Sequence, residues 1–257
     1  MSNTNLKTTF NTAATLYEEV RPGYPEELIS DIVELSGLED HSKILEVGCG
    51  TGKATRSFAE RGYKLVCLDI GADLIAVAKE KLKAFPNVSF VEKAFEAWKP
   101  EGTFDLIISA TAFHWVDPKV RYLKASEVLK PKGSLAVFSN QHVRKDEGFF
   151  AESQSLYDKY YAPLTGNRPT HATNFPGVEG FHNPIRRFYP WTQTYSSEEY
   201  IKLLGTYSDH ISLPDENRHL LFEGIINLIE TNYKGRVTKH YEAVLDLRQA
   251  TRRIQQA

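Results

Sequence analysis

The sequence LEVGCGTG, at residues 45–52, decides the fold of this chain. An apolar stretch that starts at Lys43 leads into it, and a helical pattern over residues 53–61 follows it and stops at Gly62. Glycine has no Cβ, so the backbone can turn sharply here and a ligand can lie against it. The free N–H groups at the start of the following helix favour an anionic group. The stretch therefore predicts a strand, a ligand-binding turn and a helix.

An acidic residue at the end of the second apolar run indicates a nucleoside ligand. Asp69 lies near the end of the apolar run 63–70, and parallel strands present their carboxyl ends at one edge of a sheet. A carboxylate there is placed to accept hydrogen bonds from a ribose diol. The glycines follow Glu46 in the pattern GxGxG, whereas a dinucleotide site has GxGxxG, so the spacing favours S-adenosylmethionine over NAD. An NAD-dependent oxidoreductase stays a minor alternative, and a glycine-rich turn can also be only a tight connection.

Short apolar runs alternate with helical patterns between residues 43 and 138, which predicts βαβ units and a parallel sheet. The predicted strands are 43–47, 63–70, 88–91, 104–110 and 133–138, followed by 185–195 and 236–247. The predicted helices are 53–61, 72–83, 197–208 and 215–233, with an amphipathic helix around Leu28, Ile29, Ile32 and Leu35. Asp117 and Pro118 predict a further helix start, with the acid as N-cap and proline at the first helical position.

A family resemblance is carried by residues 46–52 (EVGCGTG), Asp69, 104–107 (FDLI) and 129–135 (LKPKGSL). Together these segments resemble the class I S-adenosylmethionine-dependent methyltransferases, type 11 subgroup. A branch of that family, the trans-aconitate methyltransferase-like small-molecule enzymes, is similar in further segments. Those segments are residues 21–25, residues 113–115, Thr206-Tyr207-Ser208 and the basic-apolar last strand.

The resemblance implies an α/β, Rossmann-like fold with a seven-stranded, mostly parallel sheet whose last strand is antiparallel. It also implies helices on both faces and a helical lid over the carboxyl edge. The whole chain, residues 1–257, is then a single methyltransferase domain. Its cofactor-binding core is expected at about 41–140, and its lid and substrate segments at about 1–30, 141–183 and 196–232.

The same resemblance, matched position by position, implies the residues that contact S-adenosylmethionine. Asp69 is expected to hold the ribose hydroxyls, and Ile70 to lie against the adenine. Thr111, after the fourth strand, is expected beside the sulfonium and the substrate. The other expected contacts are Glu46 before the turn, Gly48, Gly50 and Gly52 along the methionine part, and Ala94 and Phe95, with Glu96 as the nearest carboxylate, around the adenine amino group.

The segment after the fourth strand also supplies candidates for the acceptor side. His114 is a candidate general base for a hydroxyl acceptor, because histidine titrates near neutral pH, or a helix-start residue bonded to the backbone. Phe113 and Trp115 are candidate substrate contacts, and packing is the alternative interpretation for Trp115.

The N-terminal segment supplies two more candidates. Tyr17 is expected either to contact the sulfonium or substrate as a catalytic group or to pack in the lid. Arg21 is expected either to bind a carboxylate through its guanidinium or to pair with Glu18 or Glu19.

Composition excludes several other function classes. The chain has 31 Lys+Arg against 33 Asp+Glu and a net charge of −2, which gives no field to attract nucleic acid or anionic lipid.

The fourth strand ends in Ser109-Ala110-Thr111-Ala112, whereas enzymes that methylate base amino groups resemble one another in an Asn/Asp-Pro-Pro-Tyr/Phe motif there. We predict a cytoplasmic protein, since there is no apolar leader and no run near the roughly 18 apolar residues of a membrane helix. The two cysteines lack metal-ligand spacing, so no metal is predicted.

The predicted function is S-adenosylmethionine-dependent methyl transfer to a small-molecule acceptor, at oxygen rather than nitrogen or carbon, with a carboxylate as a candidate acceptor. Displacement at a sulfonium needs alignment and exclusion of water more than an obligatory catalytic group. A carboxylate acceptor would need no general base. The alternative is a regulatory or scaffold protein that binds the cofactor without turnover, and the oligomeric state is not predicted.

Overall fold

The computed structural model describes residues 20–143, 145, 147–161 and 177–251, apart from the side chain of Ser208. The strands are β1 Lys43–Val47, β2 Lys64–Asp69, β3 Val88–Glu92, β4 Phe104–Ala110, β5 Leu129–Val143, β6 Ile185–Ser196 and β7 Arg236–Gln249. The helices are α1 Glu26–Ser36, α2 Lys53–Ala59, α3 Ala72–Lys81, α4 Arg121–Val128, α5 Gly148–Tyr160, α6 Ser197–Leu204, α7 Ser208–Ile211 and α8 Asp215–Asn232. A 3-10 helix covers Phe113–Trp115.

The strands form one seven-stranded sheet in the order β3-β2-β1-β4-β5-β7-β6. The first five pair in parallel. Strand β7 runs antiparallel to β6, because Arg186 pairs with Asp246 while Thr194, further along β6, pairs with Thr238, earlier in β7. The expected α/β fold with a mostly parallel sheet is confirmed.

The local sequence explains why the central strands form. Ile44, Leu45 and Val47 of β1 are buried, and β4 is apolar and buried through its middle. Strands buried on both faces form from continuous apolar runs rather than from alternating ones. Strand β1, which leads into the glycine-rich turn, is therefore buried along most of its length.

Two elements start three or more residues away from their predicted positions, and the predicted helix 197–208 ends at Leu204. Strand β5 begins at Leu129 instead of Gly133, and its pairing with β4 shifts register between Phe104 and Leu106. Helix α4 begins at Arg121 because Asp117 forms a turn first: its side chain accepts from Lys119 N and its carbonyl from Arg121 N.

The described residues divide into two compact units, each with its own core. The sheet unit comprises residues 23–141, 177–189 and 243–251 and has a core that includes Leu45, Phe95, Phe104, Ile107 and Phe113. The helical unit comprises the described parts of 20–22, 142–161 and 190–242. Its core is rich in tyrosine and includes Tyr161, Tyr195, Tyr200, Leu221, Ile225 and Tyr241.

Over the described ranges, every helix is too short or too polar to cross a membrane. Those same ranges hold no group of three or more His, Cys, Asp or Glu side chains arranged to bind a metal ion.

Candidate functional site

Hydrogen bonds tie the glycine-rich turn to the second strand. Leu68 O accepts from Gly48 N at 2.8 Å. The Asp69 carboxylate accepts from Gly50 N at 2.8 Å through Oδ2 and from Gly71 N at 2.9 Å through Oδ1. A carboxylate offers about four acceptor positions, so each oxygen keeps capacity for a further donor. Burial raises the pKa of Asp69, and the two backbone hydrogen bonds oppose that shift.

The three glycines of the turn differ in what surrounds them. A Cβ on Gly48 would lie 2.4 Å from Ala112 Cβ, and one on Gly52 would lie 2.7 Å from Leu82 Cδ1. These two glycines therefore let segments of the sheet unit pack closely. Gly50 has a φ of +54°, and a Cβ there would meet no atom within 4 Å among the described residues. Of the three, Gly50 is the one against which a ligand can lie.

Glu46 is a buried carboxylate with one unused oxygen. Thr55 Oγ1 donates to Glu46 Oε2 at 2.6 Å, and the Cys67 thiol lies 3.9 Å from the same oxygen. Within the described part of the chain, Glu46 Oε1 has no hydrogen-bond partner. Burial raises the pKa of Glu46 to about 8, the Thr55 hydrogen bond opposes the shift, and the charge of Asp69 adds to it. Such a buried acceptor suits a ligand that brings a donor or a positive charge.

Replacing Glu46 with glutamine is expected to flatten the pH dependence of stability of the free protein. Between pH 4.5 and about 8 the unfolded chain has an ionised Glu46 while the folded chain holds the proton, so raising the pH through this window lowers the free energy of unfolding. For the wild type this fall in the free energy of unfolding is on the order of 3 kcal/mol, and Glu46→Gln should not show it. Urea unfolding at pH 5 and pH 8 measures it. The exposed Glu60→Gln should keep the wild-type slope, and an unchanged slope in Glu46→Gln would contradict the buried proton.

The residues expected around the adenine are split between surface and core. Ile70 follows Asp69 and is 46% exposed, which leaves an apolar surface beside the acid. Ala94 is half-buried. Phe95 is 3% exposed and its ring packs in the core, with Lys124 Nζ 5.3 Å from the ring centre, so its side chain does not face solvent. The Glu96 carboxylate accepts from the backbone N–H of the turn before α4.

Thr111, directly after β4, has a strained backbone. Its φ is +56°, a conformation rare for a β-branched residue. Its N–H donates to Phe138 O at 2.8 Å, and its hydroxyl lies 2.8 Å from the hydroxyl of Tyr24. The Tyr24 ring packs edge-on against Phe138 at 4.8 Å. Strain of this kind persists only where the surroundings enforce it, and it concentrates at functional sites.

The three candidate residues of the 3-10 helix differ in how far they are buried. Phe113 is 3% exposed and packs edge-on against Tyr122 at 5.3 Å, so its ring belongs to the core. His114 is exposed, and its ring centre lies 4.8 Å from that of half-buried Trp115. Phe113 and His114 therefore do not share one environment.

Arg21 lies in the helical unit, held by the threonine-tyrosine pair that also carried the branch resemblance. Its Nε donates to Thr206 Oγ1 at 2.7 Å and its Nη2 to Thr206 O at 2.8 Å. Its guanidinium carbon lies 4.3 Å from the centre of the Tyr207 ring. Tyr17, Glu18 and Glu19 lie outside the described residues.

Two polar residues were not singled out by the sequence analysis. Tyr24 is the hydroxyl partner of Thr111, and no local pattern connects residues so far apart. Lys239 of β7 is 7% exposed. The sequence could have indicated this burial, because side chains alternate between the two faces of a strand and Lys239 shares a face with the buried Val237 and Tyr241.

These groups of the sheet unit fit the cofactor that the sequence predicted. The unpartnered Glu46 Oε1 suits the methionine ammonium, and Asp69 keeps acceptor capacity for a ribose diol. Gly50 offers open space for close approach, and exposed Ile70 offers an apolar surface for adenine.

Comparison with known proteins gives a consistent result. The family described as "methyltransferase domain" matches residues 44–133. An uncharacterized methyltransferase of Schizosaccharomyces pombe is 28% identical over 226 residues, covering 87% of this chain and 88% of that protein. A malonyl-[acyl-carrier protein] O-methyltransferase of Ilyobacter polytropus is 36% identical over 105 residues, covering 40% of this chain and 39% of that protein.

A solved structure resembles the fold over most of its length. A proposed type II methyltransferase from Anaeromyxobacter dehalogenans has a TM-score of 0.68 at 20% identity, covering 90% of this chain and 97% of that chain. At this identity the likeness concerns the fold alone.

Proposed function

Because the chain belongs to the class I S-adenosylmethionine-dependent methyltransferases, we propose that it methylates an oxygen atom of a small molecule, with a carboxylate as the favoured acceptor. The cofactor is S-adenosylmethionine. The O-methyltransferase of Ilyobacter polytropus, similar over part of the chain, supports transfer to oxygen. The comparisons give no support for the alternative of a non-catalytic binding protein.

The observation that carries the proposal is the pair of acids at one edge of the sheet unit. S-adenosylmethionine supplies an electrophilic methyl group on a positively charged sulfur. We assign the ribose hydroxyls to Asp69, whose backbone hydrogen bonds hold the carboxylate in place. We assign the ammonium of the methionine part to Glu46 Oε1, because ionic pairing would satisfy an otherwise unpartnered buried oxygen.

The acceptor side of the proposal rests on Thr111 and Tyr24. Their hydroxyls contact each other at the end of β4, and the strained Thr111 backbone is held by Phe138 O. Hydroxyl groups held in this way can orient an acceptor oxygen by hydrogen bonding. An ionised carboxylate is already a nucleophile, so the chain needs to align it and exclude water rather than remove a proton. His114 stays a candidate base for hydroxyl acceptors only.

Methyl transfer to oxygen predicts an alkali-labile product when the acceptor is a carboxylate. We expect labelled methyl groups from S-adenosylmethionine to appear on small di- and tricarboxylates, and mild alkali to release the label as methanol. Each acid is paired with its fully esterified form, which offers no free carboxylate and should stay unlabelled. Alkali-stable label on amines or carbon, with none on carboxylates, would contradict the proposal.

A further inference from the structure

Arg121, the first residue of α4, is a half-buried cation without a carboxylate partner among the described residues. In that part of the chain its guanidinium makes one hydrogen bond, from Nη1 to Phe113 O at 3.5 Å, which is longer than an ordinary N–H···O bond. Its Nε is buried and has no acceptor there. A guanidinium has more N–H donors than this one bond uses, so Arg121 keeps donors for a ligand.

An acid whose charge acts on the same tyrosine as Arg121 is already bound by other arginines. Burial raises the pKa of Tyr122, the charge of Arg121 opposes that shift, and the charge of Asp246 adds to it. The Asp246 carboxylate accepts from Arg248 Nε at 2.8 Å and from Arg186 Nε at 3.3 Å. Asp246 therefore pairs with these two arginines rather than with Arg121.

The course of α4 places Arg121 at the carboxyl edge of the sheet. Leu129 follows the helix and pairs with Phe104, the first residue of β4. The helix thus ends at the amino end of β4 and begins near the other end, where β4 stops at Ala110. This is the edge of the sheet unit that carries the glycine-rich turn and Asp69.

The segment between β4 and α4 connects Arg121 to that turn. A Cβ on Gly48 would lie 2.4 Å from Ala112 Cβ, so this segment packs against the turn. Phe113 comes next, and its carbonyl is the one that Arg121 contacts. Consecutive Cα atoms are about 3.8 Å apart, so those of Thr111 and Phe113 are separated by at most about 7.6 Å. Arg121 therefore lies beside the segment to which we assign the acceptor.

Aromatic rings flank the guanidinium and leave its charge in place. Its central carbon lies 5.1 Å from the ring centre of Tyr122 and 5.7 Å from that of Phe113. Such contacts favour a cation without neutralising it. A planar guanidinium binds a carboxylate through two parallel N–H bonds. One positive charge bordered by rings thus matches the carboxylate of a small organic acid.

We infer that Arg121 binds one carboxylate of a small di- or tricarboxylate and thereby selects such acids over monocarboxylates. The inference rests on the proposed function in one respect, that this acid is the methyl acceptor. A second carboxylate of the same molecule then lies beside Thr111 and Tyr24 and takes the methyl group. The methionine part of the cofactor also carries a carboxylate, and the test separates these two sources.

The test compares Arg121→Met with the wild type and with Lys119→Met. Methionine removes the charge but keeps an unbranched apolar side chain against the two rings. Lys119 is exposed and lies in the same segment, so Lys119→Met is a matched loss of one positive charge. The probes are succinate and glutarate, each paired with its monoamide, which has the same length and one carboxylate fewer. Calorimetric titration in the presence of saturating S-adenosylhomocysteine gives the dissociation constants.

We expect the two diacids to bind the wild type and Lys119→Met about 10–100-fold more tightly than Arg121→Met. The monoamides should bind all three proteins equally. Arg121→Lys keeps the charge but not the planar pair of donors, so its affinity for the diacids should be intermediate. This variant carries the comparison if Arg121→Met does not fold.

Two results would overturn the inference directly. One is equal affinity of the diacids for the wild type and Arg121→Met, and the other is no binding of either diacid to the wild type. The affinity for S-adenosylhomocysteine should be the same in every variant. Its loss in a folded Arg121→Met protein would assign the guanidinium to the methionine carboxylate and overturn its role in selecting the acid.

Methyl transfer then separates this inference from the proposed function. Diacids that bind through Arg121 and acquire an alkali-labile label support both. Diacids that bind through Arg121 without being methylated uphold the carboxylate site and contradict the proposed acceptor class. Methylation of diacids with unchanged kcat/KM in Arg121→Met upholds the proposed function and overturns the inference.

Discussion

Replacing Gly50 with valine is expected to abolish S-adenosylmethionine binding in a protein that still folds. A side chain at Gly50 enters space free of other described atoms, so it creates no clash within the protein. The φ of +54° costs a branched residue about 1–2 kcal/mol of strain. If the turn lies against the cofactor, the added side chain occupies the cofactor's position. Titration with S-adenosylhomocysteine should show a loss of at least about 100-fold, or about 2.8 kcal/mol.

Gly37 provides a matched control for this variant. It ends α1 with a φ of +60°, and a Cβ there also meets nothing within 4 Å among the described residues. Gly37→Val should therefore lower the melting temperature about as much as Gly50→Val and leave cofactor affinity unchanged. Normal binding by a folded Gly50→Val protein would show that the turn does not contact the cofactor.

Replacing Asp69 with alanine is expected to weaken cofactor binding by about 1.5–3 kcal/mol, or roughly 10–150-fold, if the carboxylate accepts from both ribose hydroxyls. The variant should also lose some stability without ligand, because Gly50 N and Gly71 N lose their acceptor. Calorimetric titration with S-adenosylhomocysteine gives the first effect, and thermal unfolding of the free protein gives the second.

Asp69→Asn separates these two effects. The amide keeps one acceptor oxygen for the turn but loses the charge and the second acceptor. We expect it to retain more stability than Asp69→Ala and to bind the cofactor with intermediate affinity. The exposed Glu60→Ala should change neither quantity. Wild-type affinity in Asp69→Ala would remove Asp69 from the ribose site.

The core of the sheet could be predicted because its strands are apolar runs bounded by polar residues and glycine. Strands β1 and β4 have the bounds that the sequence predicted. The early start of β5 could not be predicted, because it depends on a register shift against β4 that leaves no periodic signal in the sequence. The late start of helix α4 could not be predicted either, because an Asp-Pro pair favours a turn as well as a helix start.

The candidate site could be predicted where its parts are close in sequence. Gly50 and Asp69 are 19 residues apart and lie at the carboxyl ends of the adjacent strands β1 and β2, and a hydrogen bond joins them. The contact of Arg21 with Thr206 could not be predicted, since the two residues are 185 positions apart in the sequence. The burial of Phe113 also depends on distant packing rather than on its own segment.

The long separation between Arg21 and Thr206 has a consequence for how the protein is made. Chains leave the ribosome from the N-terminus, and their early segments begin to fold first. The turn and its acid are both available once residue 71 has emerged, whereas Arg21 waits for nearly the whole chain before Thr206 exists. Synthesis that stops early thus yields a product with the turn and Asp69 but without Thr206, which accepts hydrogen bonds from Arg21.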